Sequence, residues 1–329
     1  MLSWTSSFVL FLSARQSTGA LALLSSGTDS STWTFTSHHE TSFLVPGRID
    51  ELTHTTSLGT WCLTRAQPCA ELAGIVHEYW EVQGRLSPFR EAVLPNGYVE
   101  VMVNLGPAHR VFEGSSSGVW ERSWFSGLQE RSIFIESLDG THLVSIRMHP
   151  LGATQIFGFA APGAANSVVD LETLVGSRAL DLRARLLAEE SPEARFATLE
   201  KWLHDRSTPD ISIPPFVREA AARIERAHGG LRVAELHQEL DVSRKHLSVS
   251  FTRFVGVSAK AYARLHRFVW TLEQLRNSTD VEWSRIAAEA GYSDQSHLVR
   301  DFRRVGATSP TDYLRRFAPD RDALLEAAG

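Results

Sequence analysis

Gly291-Tyr292-Ser293-Asp294-Gln295-Ser296-His297-Leu298, with Phe302, Arg304 and Gly306 behind it, repeats an earlier pattern. The earlier copy reads Ser243-Arg244-Lys245-His246-Leu247, then Phe251, Arg253 and Gly256. In both copies a small capping residue opens an amphipathic run, and Leu and Phe stand four apart on one helical face. A helix-type run precedes each opening Ser, Val233 to Leu240 in the first copy and Trp283 to Ala290 in the second. The short turns Asp241-Val242 and Gly291-Tyr292 join the pairs. Helix, tight turn, capped helix is the sequence form of a helix-turn-helix.

The second helix of such a unit fits a DNA major groove, and its residues opposite Leu and Phe are then free to reach bases. These are Arg244, Lys245, Ser248 and Val249 in the first copy, and Gln295, Ser296, Val299 and Arg300 in the second. Arg and Lys suit guanine or phosphate, Gln suits adenine, and Val packs on a thymine methyl. One copy alone reads equally well as an ordinary helical hairpin in a core. Two copies at a matching offset favour the DNA reading.

The stretch resembles the DNA-binding domain of the AraC/XylS family of bacterial transcription regulators. The first half of the likeness rests on Leu236, Ser243, His246-Leu247, Phe251, Gly256 and Val257-Ser258. The second rests on Ile286-Ala287, Gly291 to Leu298, Phe302-Arg303-Arg304 and Ser309-Pro310-Thr311-Asp312-Tyr313. The resemblance implies an all-α domain of seven helices, with two helix-turn-helix units joined by a long helix at Ala259 to Leu275. It implies two recognition helices meeting successive major grooves, about 34 Å apart. Arg253, Arg264, Arg267, Arg303, Arg304 and helix amino termini are the expected phosphate contacts. Where the family usually has Gly, five residues after the second Phe, this chain has Ala307, with Gly306 one place earlier. That departure predicts a helix that ends one residue early.

The chain has 329 residues, 43% of them hydrophobic, which suits two globular domains. The net charge of −5 is unevenly spread: residues 231–317 hold 14 Lys and Arg against 10 Asp and Glu, leaving −9 elsewhere. A mildly basic module on an acidic body is compatible with DNA binding, because only the contact face must be positive. Cys62 and Cys69 provide neither a disulfide framework nor a metal quartet. They also disfavour a cysteine-based alkyl-transfer repair domain in front of the module.

Residues 1–58 are rich in Ser and Thr and read as a disordered extension, with folding expected to begin near Thr60. The apolar run Phe8 to Leu12 is too short to span a membrane. Arg15 follows that run instead of preceding it, so a signal peptide is the lesser reading. Residues 59–206 form the expected sensor or dimerisation domain. Val99, Val101 and Val103 alternate with Glu100, Met102 and Asn104 in strand period, after the turn Leu94-Pro95-Asn96-Gly97. Ile133 to Glu136 and His142 to Met148 flank Leu138-Asp139-Gly140-Thr141, which predicts a hairpin. Helical patterns follow over Asp170 to Ala188 and from Ser191, with Pro192 at N1. This part therefore reads as a β barrel or sandwich with a helical hairpin, and the whole chain as α+β. It resembles an uncharacterised sensor-like domain often found before this module. The likeness rests on Leu94 to Gly106, Met148 to Ala153 and Val169 to Glu172. Residues 207–215 read as a linker, 216–318 as the DNA-binding domain, opening with a helix over Phe216 to His228, and 319–329 as a tail.

No catalytic residue, metal site or cofactor is expected. The histidines lack metal-ligand spacing, and there is no phosphate loop, nucleophile elbow or paired-carboxylate motif. Glu81, Arg90 and Glu91 read as solvated charges, and Trp61, Trp80, Trp120 and Trp124 as core rather than ligand cavity. The reading is a cytoplasmic regulator of transcription that binds double-stranded DNA. RNA polymerase, an unidentified small effector and a second copy of the chain are its candidate partners, and no membrane is involved. The alternatives are a ligand-independent regulator whose front domain only dimerises, and an enzyme carrying a DNA-binding tail.

Overall fold

The computed structural model describes residues 32–38, 49–56, 59–86, 89–113, 116–137, 140–206, 211–277 and 281–317. The front half contains strands β1 (Thr32–His38), β2 (Ile49–Thr56), β3 (Gly59–Ala66), β4 (Val76–Leu86), β5 (Phe89–Val93) and β6 (Val99–Asn104). It continues through β7 (His109–Glu113), β8 (Ser116–Trp120), β9 (Ser123–Ser126), β10 (Ile133–Ser137) and β11 (Thr141–Met148). Helices α1 (Pro150–Phe157) and α2 (Ala160–Gly163), strand β12 (Val168–Asp170), and helices α3 (Leu171–Val175), α4 (Arg178–Ala188) and α5 (Pro192–His204) complete it. The second half is helical: α6 (Pro215–Arg226), α7 (Leu236–Glu239), α8 (Arg244–Val255), α9 (Ala259–Asn277), α10 (Trp283–Glu289), α11 (Gln295–Gly306) and α12 (Pro310–Phe317). The seven helices implied by the resemblance are therefore present.

The strands form two sheets rather than a closed barrel. The large sheet runs β1-β2-β3-β4-β11-β6-β9-β12, and the small one runs β5-β10-β7-β8. Period-two alternation divides the large sheet's faces. Val99, Val101, Val103, Val144, Ile146 and Met148 join the core shared with the helices. Trp61, Leu63, Trp80, Val82, Trp124 and Leu143 face the other way and meet Val111 and Ile133 of the small sheet. Three of the four singled-out tryptophans are thus fully buried in the inter-sheet core, and Trp120 packs against it.

Two expectations are corrected. Strands β10 and β11 do not pair as a hairpin: β10 pairs with β5 and β7, and β11 with β4 and β6. The chain changes sheets between them, next to Gly140 at φ +71°, so the turn signal marks a crossing. The ordered chain also begins before Thr60. Strand β2 pairs with β3 over its full length, from Ile49 opposite Ala66 to Thr56 opposite Gly59, and β1 pairs with β2. Thr and Ser looked like a low-complexity tail, but β-branched Thr alternating with Trp33 and Phe35 suits a strand. Phe8 to Leu12, Arg15 and residues 318–329 lie outside the described residues, as do residues 207–210 of the linker.

The helical hairpin forms as α4 and α5. Ser191 caps α5 by accepting a bond from the Ala194 N–H at 3.2 Å, with Pro192 in the first turn. The expected run over Asp170 to Ala188 is broken at Gly176, φ +63°, into α3 and α4. A buried ion pair fastens α5 to the large sheet. Arg195 donates to both oxygens of Glu81 at 2.6 and 2.7 Å, and His142 reaches the same carboxylate at 2.9 Å. Glu81 is therefore not a solvated charge. Burial pushes its carboxyl pKa up, but bonds from His142 and Arg195 outweigh that and hold it below its ordinary value.

Removing one partner of a buried pair strands the other charge. Arg195→Ala is expected to lower unfolding free energy by about 3–5 kcal/mol, read from urea midpoints. Glu81 has a depressed folded pKa, so its contribution is full above the unfolded carboxyl value of about 4.3. That contribution is lost as pH falls through the lower folded value. Glu81→Gln is expected to remove this acid limb from the pH dependence of the urea midpoint.

Candidate nucleic-acid interface

Helices α8 and α11 are the second helices of the two units, and their local construction is nearly the same. In the first, the Val242 N–H donates to His237 O at 3.0 Å, with Asp241 at φ +50°. In the second, the Tyr292 N–H donates to Ala287 O at 2.9 Å, with Gly291 at φ +76°. Both are left-handed helix endings that turn the chain sharply into the next helix. Ser243 then caps α8, accepting from the His246 N–H at 3.1 Å. Asp294 caps α11, accepting from the His297 N–H at 2.7 Å. The second cap is Asp294 and not the expected Ser293, so the second unit carries one extra residue between turn and helix. The Ser293 hydroxyl bonds the Asp294 carboxylate and the His297 ring instead.

From the caps onward the copies run in register. Leu247 and Phe251 are buried in α8, as Leu298 and Phe302 are in α11. On the opposite side Arg244, Lys245, Ser248 and Val249 are exposed. Gln295, Ser296 and Arg300 are exposed, and Val299 is half-buried. Val249, 59% exposed, is an apolar residue held out in solvent at a position that suits contact with a base methyl. The paired histidines pack locally: His246 lies edge-on to Phe216 at 4.8 Å, and His297 to Tyr292 at 5.1 Å.

The five other arginines divide. Arg303 and Arg304 are exposed on α11. Arg253 lies over the Phe159 ring at 4.6 Å, against the turn between α1 and α2. Arg264 of α9 pairs with Glu130 of the front domain at 3.0 Å. Arg267 donates to Gly291 O at 3.3 Å and lies over the Tyr292 ring, bracing the second turn.

The expected early end of α11 does not occur. The helix runs through Gly306, and Ala307 takes the left-handed cap at φ +55°, the position Gly256 fills at φ +92° after α8. Gly306 is needed where it stands, because a Cβ there would sit 3.0 Å from the Phe268 ring of α9. Ala307→Gly relieves a left-handed alanine and is expected to raise unfolding free energy by about 1 kcal/mol in urea titration. Gly306→Ala is expected to lower it.

Sequence reasoning missed the residues that hold these helices in place. Thr154 of α1 donates its hydroxyl to Phe254 O of α8 at 2.8 Å. Ser132, just before β10, donates its N–H and hydroxyl to Val305 O of α11, at 2.8 and 3.1 Å. Phe254 and Val305 are equivalent positions of the repeat, so the front domain grips the same late carbonyl of α8 and α11. Gly256 approaches so closely that a Cβ would lie 2.8 Å from Pro162 O. Nothing in the sequence distinguishes Ser132. Thr154, a β-branched polar residue inside a helix-type run, was the one available signal. Double-mutant cycles on Glu130→Ala and Arg264→Ala, read in urea, are expected to give a coupling of about 1 kcal/mol across the junction.

Residues 236–316 match a family described as a helix-turn-helix domain, and residues 64–170 match a domain of unknown function, DUF6597. No curated protein sequence matches the chain. Among solved structures, ToxT from Vibrio cholerae is 12% identical, with a TM-score of 0.43 over 73% of this chain and 99% of ToxT. The carboxy-terminal domain of AraT, a response regulator from Geobacillus stearothermophilus, is 26% identical, with a TM-score of 0.30 over 32% of this chain and 88% of that one. The AraC-like transcriptional activator CuxR is 16% identical, with a TM-score of 0.29 over 66% of this chain and 82% of its own. Residues 236–316 therefore form a helix-turn-helix domain of the AraC type, two capped units joined by one long helix, and the β-rich part before them carries the domain of unknown function.

Proposed function

We propose that the protein recognises a specific DNA sequence by laying α8 and α11 into two adjacent major-groove segments, and that its front domain biases this activity in response to a small effector. The supporting observation is the register of the two copies. Arg244, Lys245, Ser248 and Val249 on one helix match Gln295, Ser296, Val299 and Arg300 on the other, and all but Val299 are exposed. These eight are the proposed base-reading set. Arg303 and Arg304 are the proposed phosphate contacts. Arg253, Arg264 and Arg267 have partners within the chain and would reach phosphate only by leaving them.

The proposed division assigns DNA reading to residues 216–318 and sensing to the sheets and hairpin before residue 207. The protein would act in the cytoplasm, where RNA polymerase and a second copy are its candidate partners. Among the described residues no helix is long and apolar enough to cross a membrane, and no group of three or more His, Cys, Asp and Glu could hold a metal ion.

The test uses the full chain. Duplexes are selected from a randomised library, and the best is titrated by fluorescence anisotropy at two salt concentrations against scrambled competitor. Specific binding should survive the competitor. Lys245→Ala and Arg300→Ala should each cost about 1–3 kcal/mol on the selected site and relax its sequence preference. Arg303→Ala should weaken all duplexes alike and reduce the salt slope by about 1. Equal effects on all sequences from all three variants would refute the assignment of base-reading residues.

A further inference from the structure

A cavity of about 90 Å³ lies between the two sheets. Trp80, Met102, Trp124 and Leu143 of the large sheet and Val111 and Ile133 of the small sheet form its walls. Val269 and Leu272 of α9, the helix joining the two helix-turn-helix units, also line it.

Two residues of its lining carry three buried side-chain nitrogens with no hydrogen-bond partner among the described residues: both ring nitrogens of His109 and Trp80 Nε1. His109 is 2% exposed and Trp80 1%. Burial drives the His109 pKa down to about 4, so its ring is neutral near pH 7 and offers one donor and one acceptor. Buried polar groups are nearly always paired, so three unsatisfied atoms around one cavity call for a partner. Charge in the lining is already balanced. Arg147 donates to Glu100 at 2.8 Å and also to Glu78. An anion entering there would meet two carboxylates around a guanidinium they already hold.

We propose that this chamber binds a small uncharged ring compound, hydrogen-bonded by His109 and Trp80, and that its occupancy acts on α9 through Val269 and Leu272. The proposal rests on the reading of the front domain as a sensor, and supplies its ligand class and its route to the DNA-binding helices. Neutral imidazole and indole N–H favour a ligand with an acceptor and a donor on one edge, such as an amide. The tryptophans favour an aromatic body.

The experiment compares benzamide with its charged counterparts of similar shape, benzoate and benzylammonium, on the full chain by thermal shift and tryptophan emission. Benzamide is expected to bind saturably in the millimolar range open to so small a ligand, and both charged probes at least tenfold more weakly. His109→Phe is expected to keep or raise the melting temperature while losing at least tenfold in benzamide affinity. Absence of benzamide binding, equal or tighter binding of a charged probe, or unchanged affinity in His109→Phe overturns the proposal. Anisotropy on the selected duplex tests the route to α9. Benzamide should change DNA affinity in the wild type, and His109→Phe, which binds benzamide at least tenfold more weakly, should need correspondingly more benzamide for the same change. Benzamide binding with no effect on DNA affinity overturns the route. A chain that binds DNA specifically but not benzamide refutes the chamber and leaves the regulator reading standing. A chain that binds benzamide through His109 but selects no duplex does the reverse.

Discussion

Three hydrogen bonds from the front domain to the late carbonyls of α8 and α11 set how the two helix-turn-helix units stand against the sheets. Thr154 fixes the first at Phe254 O, and Ser132 fixes the second at Val305 O. Backbone carbonyls in a helix's last turn lack an intrahelical partner, so they are free acceptors for a neighbouring domain. Using the equivalent carbonyl in both copies means that one rigid body, the sheet pair with α1 and α2, holds both helices in fixed relation. The Arg264–Glu130 pair and the packing of Arg253 on Phe159 add to the same junction. The hydrophobic core runs without a break from the large sheet into the helices of the second half. The two halves are therefore coupled by shared packing and by directional bonds.

Two buried charge clusters hold parts of the front domain together. Glu81 and Arg195 tie the helical hairpin to one face of the large sheet. Arg147, held by Glu78 and Glu100 on the neighbouring strands, sits on the other face, where Arg147 and Glu100 line the inter-sheet chamber. Buried ions contribute little net stability, but stranding one is costly, so such pairs fix one arrangement of layers against alternatives. Here the first fixes α5 against the large sheet, and the second ties together three neighbouring strands of that sheet, β4, β11 and β6.

Features built from local contacts were legible in the sequence. The capped helices α5, α8 and α11, the long helix α9 and the sharp turns all come from residues within a few positions of one another. The fold of the second half was therefore readable, and so was the outward face of each recognition helix. Non-local pairing was not. The turn at Gly140 carries the same signal whether the next strand folds back or crosses to another sheet, and only the partners of β10 and β11 decide between them. Strand β2 was hidden by its threonines, since composition masked an alternation that pairing with β3 makes plain. Arg264 looked like any basic residue on a DNA-binding helix until Glu130, far away in sequence, came to lie beside it. Ser132 and Thr154 were illegible for the same reason, because their acceptors are backbone atoms with no residue signature.

The grip on the recognition helices also has a consequence for how the chain is made. Thr154 and Phe254 are 100 residues apart, and Ser132 and Val305 are 173 apart. Synthesis proceeds from the amino terminus at about 5–20 residues per second. The front domain is therefore complete for several seconds before either acceptor carbonyl leaves the ribosome. During that interval the surface carrying Phe159, Pro162 and the Thr154 hydroxyl faces solvent without its counterpart. The nascent chain passes through a stage that is folded but sticky on one side, and the last helices to be synthesised are the ones that cover it.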